Sequence, residues 1–338
     1  MKEALLYRKL KNNKVRCYLC SHQCLINLGK RGICGVRENR RGKLYTLVYG
    51  KVIAFGVDPI EKKPLFHFLP GSLAYSLATV GCNFRCQNCQ NWQISQAPRL
   101  SKRIQGFKFS PSEIVEETLK NRCQSIAYTY TEPTIFLEYA LDIMKIAKKK
   151  GLKNVWVSNG FMSSKALELI SPYLDAINID LKSFKDKTYQ KYFGGRLEPV
   201  LKNLKEIKEK GIWLEVTTLI IPGVNDQEEE IRQIALFIKK ELGRETPWHI
   251  SKFSPEISWQ MQSYSPTPKE TIQKAREIGL EIGLKYVYSG NLWDDLGENT
   301  YCPKCRELNI ERKGYIIRRF DKQGKCWKCG EDLDLILE

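Results

Sequence analysis

Between residues 73 and 294, short apolar runs alternate with amphipathic helical patterns, and this alternation sharply limits the folds open to the chain. The apolar runs fall at 74–80, 124–129, 154–157, 176–180, 212–220, 247–253 and 285–288. The helices between them are well marked. In "NDQEEEIRQIALFIKKELG", Asp226 reads as an N-cap with Glu229 three residues on, a capping-box pattern. Ile231, Ile234, Ile238 and Leu242 share one apolar face, Lys239 and Lys240 fall in the last turn, and Gly243 ends the helix. The segment around 134–150 likewise ends in lysines and Gly151. Repeated strand–helix units predict a parallel sheet covered by helices. Six or seven of them point to an α/β protein with a full or partial (β/α) TIM-like barrel at 73–294.

The flanks differ. Residues 1–72 read as a Cys-rich N-terminal module in which "KLYTLVYGKVIAFGVDP" forms a β-hairpin turning near Gly50-Lys51. Residues 295–338 read as a C-terminal zinc-ribbon-like module, with a short hairpin in "LNIERKGYIIRRFDKQGK". The N-terminus carries no apolar signal-peptide core, and no run reaches the roughly 18 apolar residues of a spanning helix. A soluble cytoplasmic protein is therefore expected, and there grouped cysteines read as metal sites rather than disulfides.

Eleven of the twelve cysteines fall into three groups, and Cys123 is expected to be an inert core thiol. Cys302-x2-Cys305 and Cys326-x2-Cys329 supply four thiolates for a closed tetrahedral site, usually Zn. Cys17-x2-Cys20-x3-Cys24-x9-Cys34, with His22 inside it, again supplies four. Spacing alone does not separate Zn, the favoured reading, from a second iron–sulfur cluster. Cys82-x3-Cys86-x2-Cys89 follows the first barrel strand and stops at three. Three thiolates suit three irons of a 4Fe–4S cluster and leave the fourth iron open.

The polar residues that end the predicted strands converge on the same mouth, because sites in β/α barrels lie at the C-terminal strand ends. Glu132, Ser158, Asn159, Asp180 and Lys182 are placed so, and His249 lies within a later strand.

Together these motifs resemble the radical S-adenosylmethionine (SAM) superfamily. "YTEPT", "VSNG", "IDLKS" and "IIPGVND" resemble segments of the pyruvate formate-lyase activating enzyme family. The flanking "CYLC…GICGVREN" and "ENTYCPKC" look like the AmmeMemoRadiSam-type radical SAM proteins, over nearly the whole chain. The resemblance implies a 4Fe–4S cluster on Cys82, Cys86 and Cys89 that reductively cleaves SAM to a 5′-deoxyadenosyl radical. That radical abstracts hydrogen from a substrate, with a glycyl-radical-type protein as one possibility. It also implies that Glu132 binds the SAM amino group and that Ser158, Asn159 and Lys182 hold its carboxylate. Asp180 would help site a monovalent cation, although Val157 stands at a neighbouring position that is acidic in the family. His249 would lie near the adenosyl group. Asn88 departs from the aromatic residue expected before the third cysteine, and Trp92 is an alternative stacking partner or a core residue.

The formal net charge is +17, from 55 Lys+Arg against 38 Asp+Glu. Such an excess suits an acidic low-potential electron donor, ferredoxin or flavodoxin. It also motivates a competing reading as an RNA-binding or RNA-modifying protein that uses the ribbon and the basic, aromatic "KGYIIRRFDKQGK".

Overall fold

The structure, a computed structural model, describes residues 1–292, 296–314 and 316–338. The expected boundary at 294–295 lies outside the described residues, as does Tyr315 of the basic, aromatic stretch. Eight strands form the central sheet: β1 (Ala54–Pro59), β2 (Leu73–Ala78), β3 (Ser125–Tyr128), β4 (Lys153–Ser158), β5 (Ala176–Asp180), β6 (Trp213–Ile220), β7 (Trp248–Lys252) and β8 (Val287–Gly290). Their order is sequential, β2 to β8 run parallel, and β1 pairs antiparallel with β2. With β1 and β8 at the two edges, this is a partial TIM-like barrel.

All seven apolar runs became parallel strands, and a helix follows each of the first six. These are α1 (Pro111–Lys120), α2 (Leu137–Lys149), α3 (Ser164–Ile170), α4 (Leu197–Glu209), α5 (Glu228–Phe237) and α6 (Lys269–Ile282). Strands this short and continuously apolar must be covered on both faces, and Ile126, Tyr128, Trp156, Ile177 and Trp248 are fully buried.

Two local expectations are corrected. Helix α5 begins at Glu228 after Gln227, and Asp226 does not cap it. The preceding Asn225 takes over the turn: its Oδ1 accepts from Ile221 N (2.7 Å), and its Nδ2 donates to Lys182 O (2.7 Å) and Leu219 O (2.8 Å). The hairpin expected around Gly50 does not form. Lys43–Thr46 pairs with Arg37–Arg40, Lys51–Val52 pairs with Phe107–Lys108, and β1 joins the barrel sheet. One alternating stretch thus serves three sheets, because its apolar residues are shared among different neighbours.

The barrel floor is plugged from within the chain. Ala74, Ala127 and Ala176 leave space inside the sheet, and Ile60, Leu65 and Phe68 fill it. Glu215, fully buried on β6, fastens this plug. It accepts from Phe66 N (2.9 Å), His67 N (2.8 Å), Trp213 Nε1 (3.0 Å) and His249 Nε2 (2.6 Å). The C-terminal tail seals the floor from outside, with Ile336 N on His67 O (2.8 Å) and Leu69 N on Ile336 O (2.8 Å). Arg312, from the hairpin of Leu308–Lys313 and Ile316–Arg319, donates to Phe66 O (2.8 Å).

Burial alone would raise the Glu215 pKa, but the bond to and charge of His249 outweigh it and hold Glu215 below its ordinary 4.5. A depressed carboxylate stabilises the fold above its unfolded pKa, and that contribution is lost as pH falls through the folded value. Glu215→Ala is expected to cost about 3–5 kcal/mol, since it strands several buried donors. Denaturant melts at neutral pH would measure the loss, and the gap between wild type and variant should narrow in acid.

Candidate functional site

Cys82 leaves β2 at its C-terminal end, and the loop that carries it is pinned from below. Phe84 is fully buried against Phe161 (ring centroids 5.1 Å apart) and Tyr189 (6.3 Å). Gly195 is required there, because a Cβ would lie 2.4 Å from the Phe84 ring. Arg99 grips the loop from the side. Its Nη2 donates to Cys82 O (2.5 Å), its Nη1 to Phe84 O (2.9 Å), and its Nε to Ile33 O (2.7 Å). Phe84 N points at Cys82 Sγ (3.4 Å), an N–H···S contact that favours thiolate.

Around this loop the expected residues gather. Glu132 Oε1 accepts from Ser158 Oγ (2.9 Å), Thr134 Oγ1 (2.5 Å) and Thr134 N (3.1 Å), and Oε2 accepts from Asn159 N (2.8 Å). Asn159 Nδ2 donates to Asn83 Oδ1 (2.7 Å) and lies 4.0 Å from Cys82 Sγ. One hydrogen-bonded chain thus joins the loops after β2, β3 and β4. Lys182 Nζ donates to Asp180 Oδ2 at 2.8 Å. Burial opposes the Lys182 charge, but Asp180 and neighbouring Cys86 hold its pKa well above the ordinary value.

His249 stands apart. It is hydrogen-bonded to Glu215 and packed edge-on to Phe66 at 4.6 Å, in the barrel floor. Trp92 is half-buried at the start of a four-residue helix, outside the core. Cys123 is buried in the main core, as expected. Sequence reasoning missed Arg99, Asn83 and Thr217. Asn83 adjoins a ligand cysteine, and Thr217 pairs in register with Asp180, which were the available signals.

Several features suit a bound cluster and SAM. Burial raises the Cys82 thiol and pushes Cys86 up to about 12, so both stay protonated unless a metal replaces the proton. Burial also raises Glu132 despite its donors, and Oε2 keeps acceptor capacity for a cationic ammonium. Buried Asn83 Nδ2, Asn88 Oδ1 and Thr217 Oγ1 have no partner among the described residues and are free for a ligand.

The C-terminal cysteines form a different kind of site. Their four ligand atoms lie within 4.8 Å of one another, with Cys302 Sγ 3.6 Å from Cys329 Sγ and Cys305 Sγ 3.6 Å from Cys326 Sγ. A tetrahedral ion with Zn–S of about 2.3 Å separates its sulfurs by about 3.8 Å. The group is therefore fitted to one metal ion. Strand Thr300–Tyr301 completes a three-stranded antiparallel sheet beside it.

The fold is a partial barrel that carries three cysteines and a buried carboxylate beyond its strand ends. The chain belongs to the radical SAM superfamily: residues 76–235 match its family model. It is 46% identical over 340 residues to the uncharacterized protein MJ0808 of Methanocaldococcus jannaschii, covering 100% of both chains. It is 22% identical over 216 residues to the pyruvate formate-lyase-activating enzyme of Clostridium pasteurianum, covering 60% of this chain and 88% of that one. The crystal structure of Streptococcus suis SuiB bound to precursor peptide SuiA shares the fold, with a TM-score of 0.50 at 13% identity, over 69% of this chain and 51% of that one. The family implies a 4Fe–4S cluster and SAM. The nucleic-acid reading gains no support from these similarities. Among the described residues, no helix is long and apolar enough to cross a membrane.

Phe84→Ala is expected to cost about 3–5 kcal/mol and to loosen the cysteine loop. Denaturation would measure the first effect and iron content after anaerobic reconstitution the second. Phe84→Leu should recover much of both.

Proposed function

We propose that this protein is a radical SAM enzyme of the activating type, which abstracts hydrogen from a protein substrate of the glycyl-radical kind. The observation that carries the reading is the three-cysteine loop tied through Asn83 and Asn159 to a buried Glu132 whose Oε2 takes a single hydrogen bond. When bound, the cluster and SAM supply a 5′-deoxyadenosyl radical that takes a hydrogen atom from the substrate.

In this reading Cys82, Cys86 and Cys89 hold the cluster. Glu132 accepts from the SAM ammonium, and Ser158 and Asn159 position the carboxylate. Lys182, kept charged by Asp180, adds a fixed positive charge beside Cys86. Because Asp180 already serves Lys182 and Val157 is apolar, the chain offers a poor cation site at this point. His249 serves the barrel floor through Glu215. The electron donor is an acidic ferredoxin or flavodoxin attracted by the +17 charge. The C-terminal cysteines hold structural Zn. The tail beside them pairs with residues just before β2, at the barrel end opposite the site, so Zn would stabilise the floor and take no part in the chemistry.

After anaerobic reconstitution, the protein with dithionite should convert SAM to 5′-deoxyadenosine, and the Cys82/Cys86/Cys89→Ala triple variant should make none. Deuterated candidate substrates should pass label into the product. A wild type that leaves SAM intact would sink the reading. Glu132→Gln should weaken SAM binding by about 1.5–3 kcal/mol, measured by equilibrium dialysis, because a charge-assisted bond is lost. Cys305→Ser/Cys329→Ser should lose one metal ion without changing the iron content. Reduction by the donor protein should slow as salt rises.

A further inference from the structure

Tyr130 lies in the loop after β3, two residues before Glu132, with φ at +61°. Thr131 N donates to Thr129 O (2.7 Å), which closes a three-residue turn around it. Such a turn with positive φ at its centre is the rarer, strained form, and a bulky side chain there is an outlier. Glycine would adopt the same backbone without strain. A strained backbone persists only where its surroundings over-determine it.

The surroundings here are a buried ion pair. The Tyr130 hydroxyl donates to Asp58 Oδ2. Lys63, 1% exposed, donates to the same oxygen (2.6 Å), and Lys62 donates to Oδ1 (2.7 Å). Lys63 Nζ also stands 4.8 Å from the centre of the Tyr130 ring, a cation–π contact. Burial would raise the Asp58 pKa, but the bonds from Lys62, Lys63 and Tyr130 hold it well below the usual carboxylate range. Burial draws Lys63 down to about 8 despite Asp58, so it keeps its charge at neutral pH. Asp58 and the ring face balance that buried charge. Asp58 pairs in register with Ala74 at the start of β2, beside the plug. The Tyr130 ring therefore reaches from the strand ends down into the barrel, and the positive φ is what turns it that way.

On its other side the same turn carries the mouth. Tyr130 O accepts from Asn91 Nδ2 (2.9 Å), two residues after Cys89. Asn91 O accepts from Ser95 N (2.9 Å), and Ser95 Oγ lies 3.4 Å from Cys89 Sγ. Thr131 Oγ1 donates to Thr79 O (2.9 Å), just ahead of Gly81 and Cys82. The residue after Thr131 is Glu132, so one turn sets the direction of that carboxylate and touches both ends of the cysteine loop.

We infer that Tyr130 is a positioning residue: the Asp58–Lys63 pair holds its ring inside the barrel and thereby fixes the turn that aims Glu132 and steadies the segment after Cys89. The hold on Glu132 stands on this geometry, and its consequence for SAM rests on the proposed function. Tyr130 itself touches neither the cysteines nor the SAM groups assigned above. It acts by keeping a turn that would otherwise relax.

The test compares wild type, Tyr130→Phe and Tyr130→Gly, each reconstituted anaerobically, by hydrogen exchange at single amides and by equilibrium dialysis of SAM. The amides of Asn159 and Thr134 donate to Glu132 and report its position in the absence of SAM. The amide of Ile126, fully buried on β3, reports the barrel core. Both variants should exchange about tenfold faster at Asn159 and Thr134 while Ile126 is unchanged, and both should bind SAM about tenfold more weakly. Tyr130→Phe keeps the ring and loses only the hydroxyl, so wild-type exchange in it would reduce Tyr130 to packing and overturn the inference. Tyr130→Gly keeps the turn without strain, so wild-type exchange there would make Tyr130 a turn residue and overturn it equally. Faster exchange at Ile126 as well would assign Tyr130 to barrel stability instead. Wild-type SAM affinity in both variants would overturn its role in the site. A wild type that binds no SAM would remove the proposed function, and the exchange rates would still decide whether Tyr130 positions Glu132.

Discussion

One buried carboxylate holds the catalytic mouth together. Glu132 receives donors from two neighbouring strand-end loops, its own and the one after β4, and Asn159 extends the link to the cysteine loop. A carboxylate this deep is costly without partners, so its position fixes theirs. The loops after β2, β3 and β4 are thereby locked to one another before any cofactor arrives. This arrangement suits a site whose ligand must be placed accurately relative to three thiolates. At the edge of this network Asn83 Nδ2 is buried with no partner among the described residues.

The barrel floor is built on the same principle with the opposite outcome. Glu215 is as deeply buried as Glu132 and each accepts from four donors, but one donor to Glu215 is His249, which lowers its pKa, whereas burial raises that of Glu132. Glu215 on β6 and Glu132 in the loop after β3 thus divide the labour. One seals the plug formed by Ile60, Leu65 and Phe68, and the other keeps capacity in reserve. The position of His249 follows from this division: on β7 its nearest acidic partner is Glu215.

Much of the fold was legible in the sequence because parallel strands buried on both faces read as uninterrupted apolar runs, and all seven were placed. Glu132, Ser158 and Asn159 were legible for a related reason, since barrel chemistry concentrates at strand ends. What sequence could not supply was long-range competition for hydrogen bonds. The capping pattern at Asp226 was locally sound, but Asn225 bonded to Lys182 and Leu219 and moved the helix start to Glu228. The alternation at 43–59 read as a hairpin because period two reveals a strand but not its partner. His249 and Arg99 depend on contacts 34 and 17 residues away, and no local pattern encodes them.

The three cysteine groups differ in geometry in a way that matches their places in the barrel. The C-terminal set converges tightly, beside a tail that pairs with the floor, where a closed ion adds rigidity and nothing else is needed. The central set stops at three cysteines, and in the proposed reading the missing thiolate leaves the open coordination position that the chemistry of the mouth would use. The N-terminal set has four cysteines, and the backbone beside it is bonded to the segment that follows Asn159, Ser21 N to Phe161 O and Ser163 N to Leu19 O. A Cβ on Gly81 would collide with Val36 and crowd Cys34 O, so the N-terminal module is packed directly against the loop that carries Cys82. Its cysteines thereby brace the mouth from the side, as Arg99 does by bonding Ile33 O and Cys82 O together.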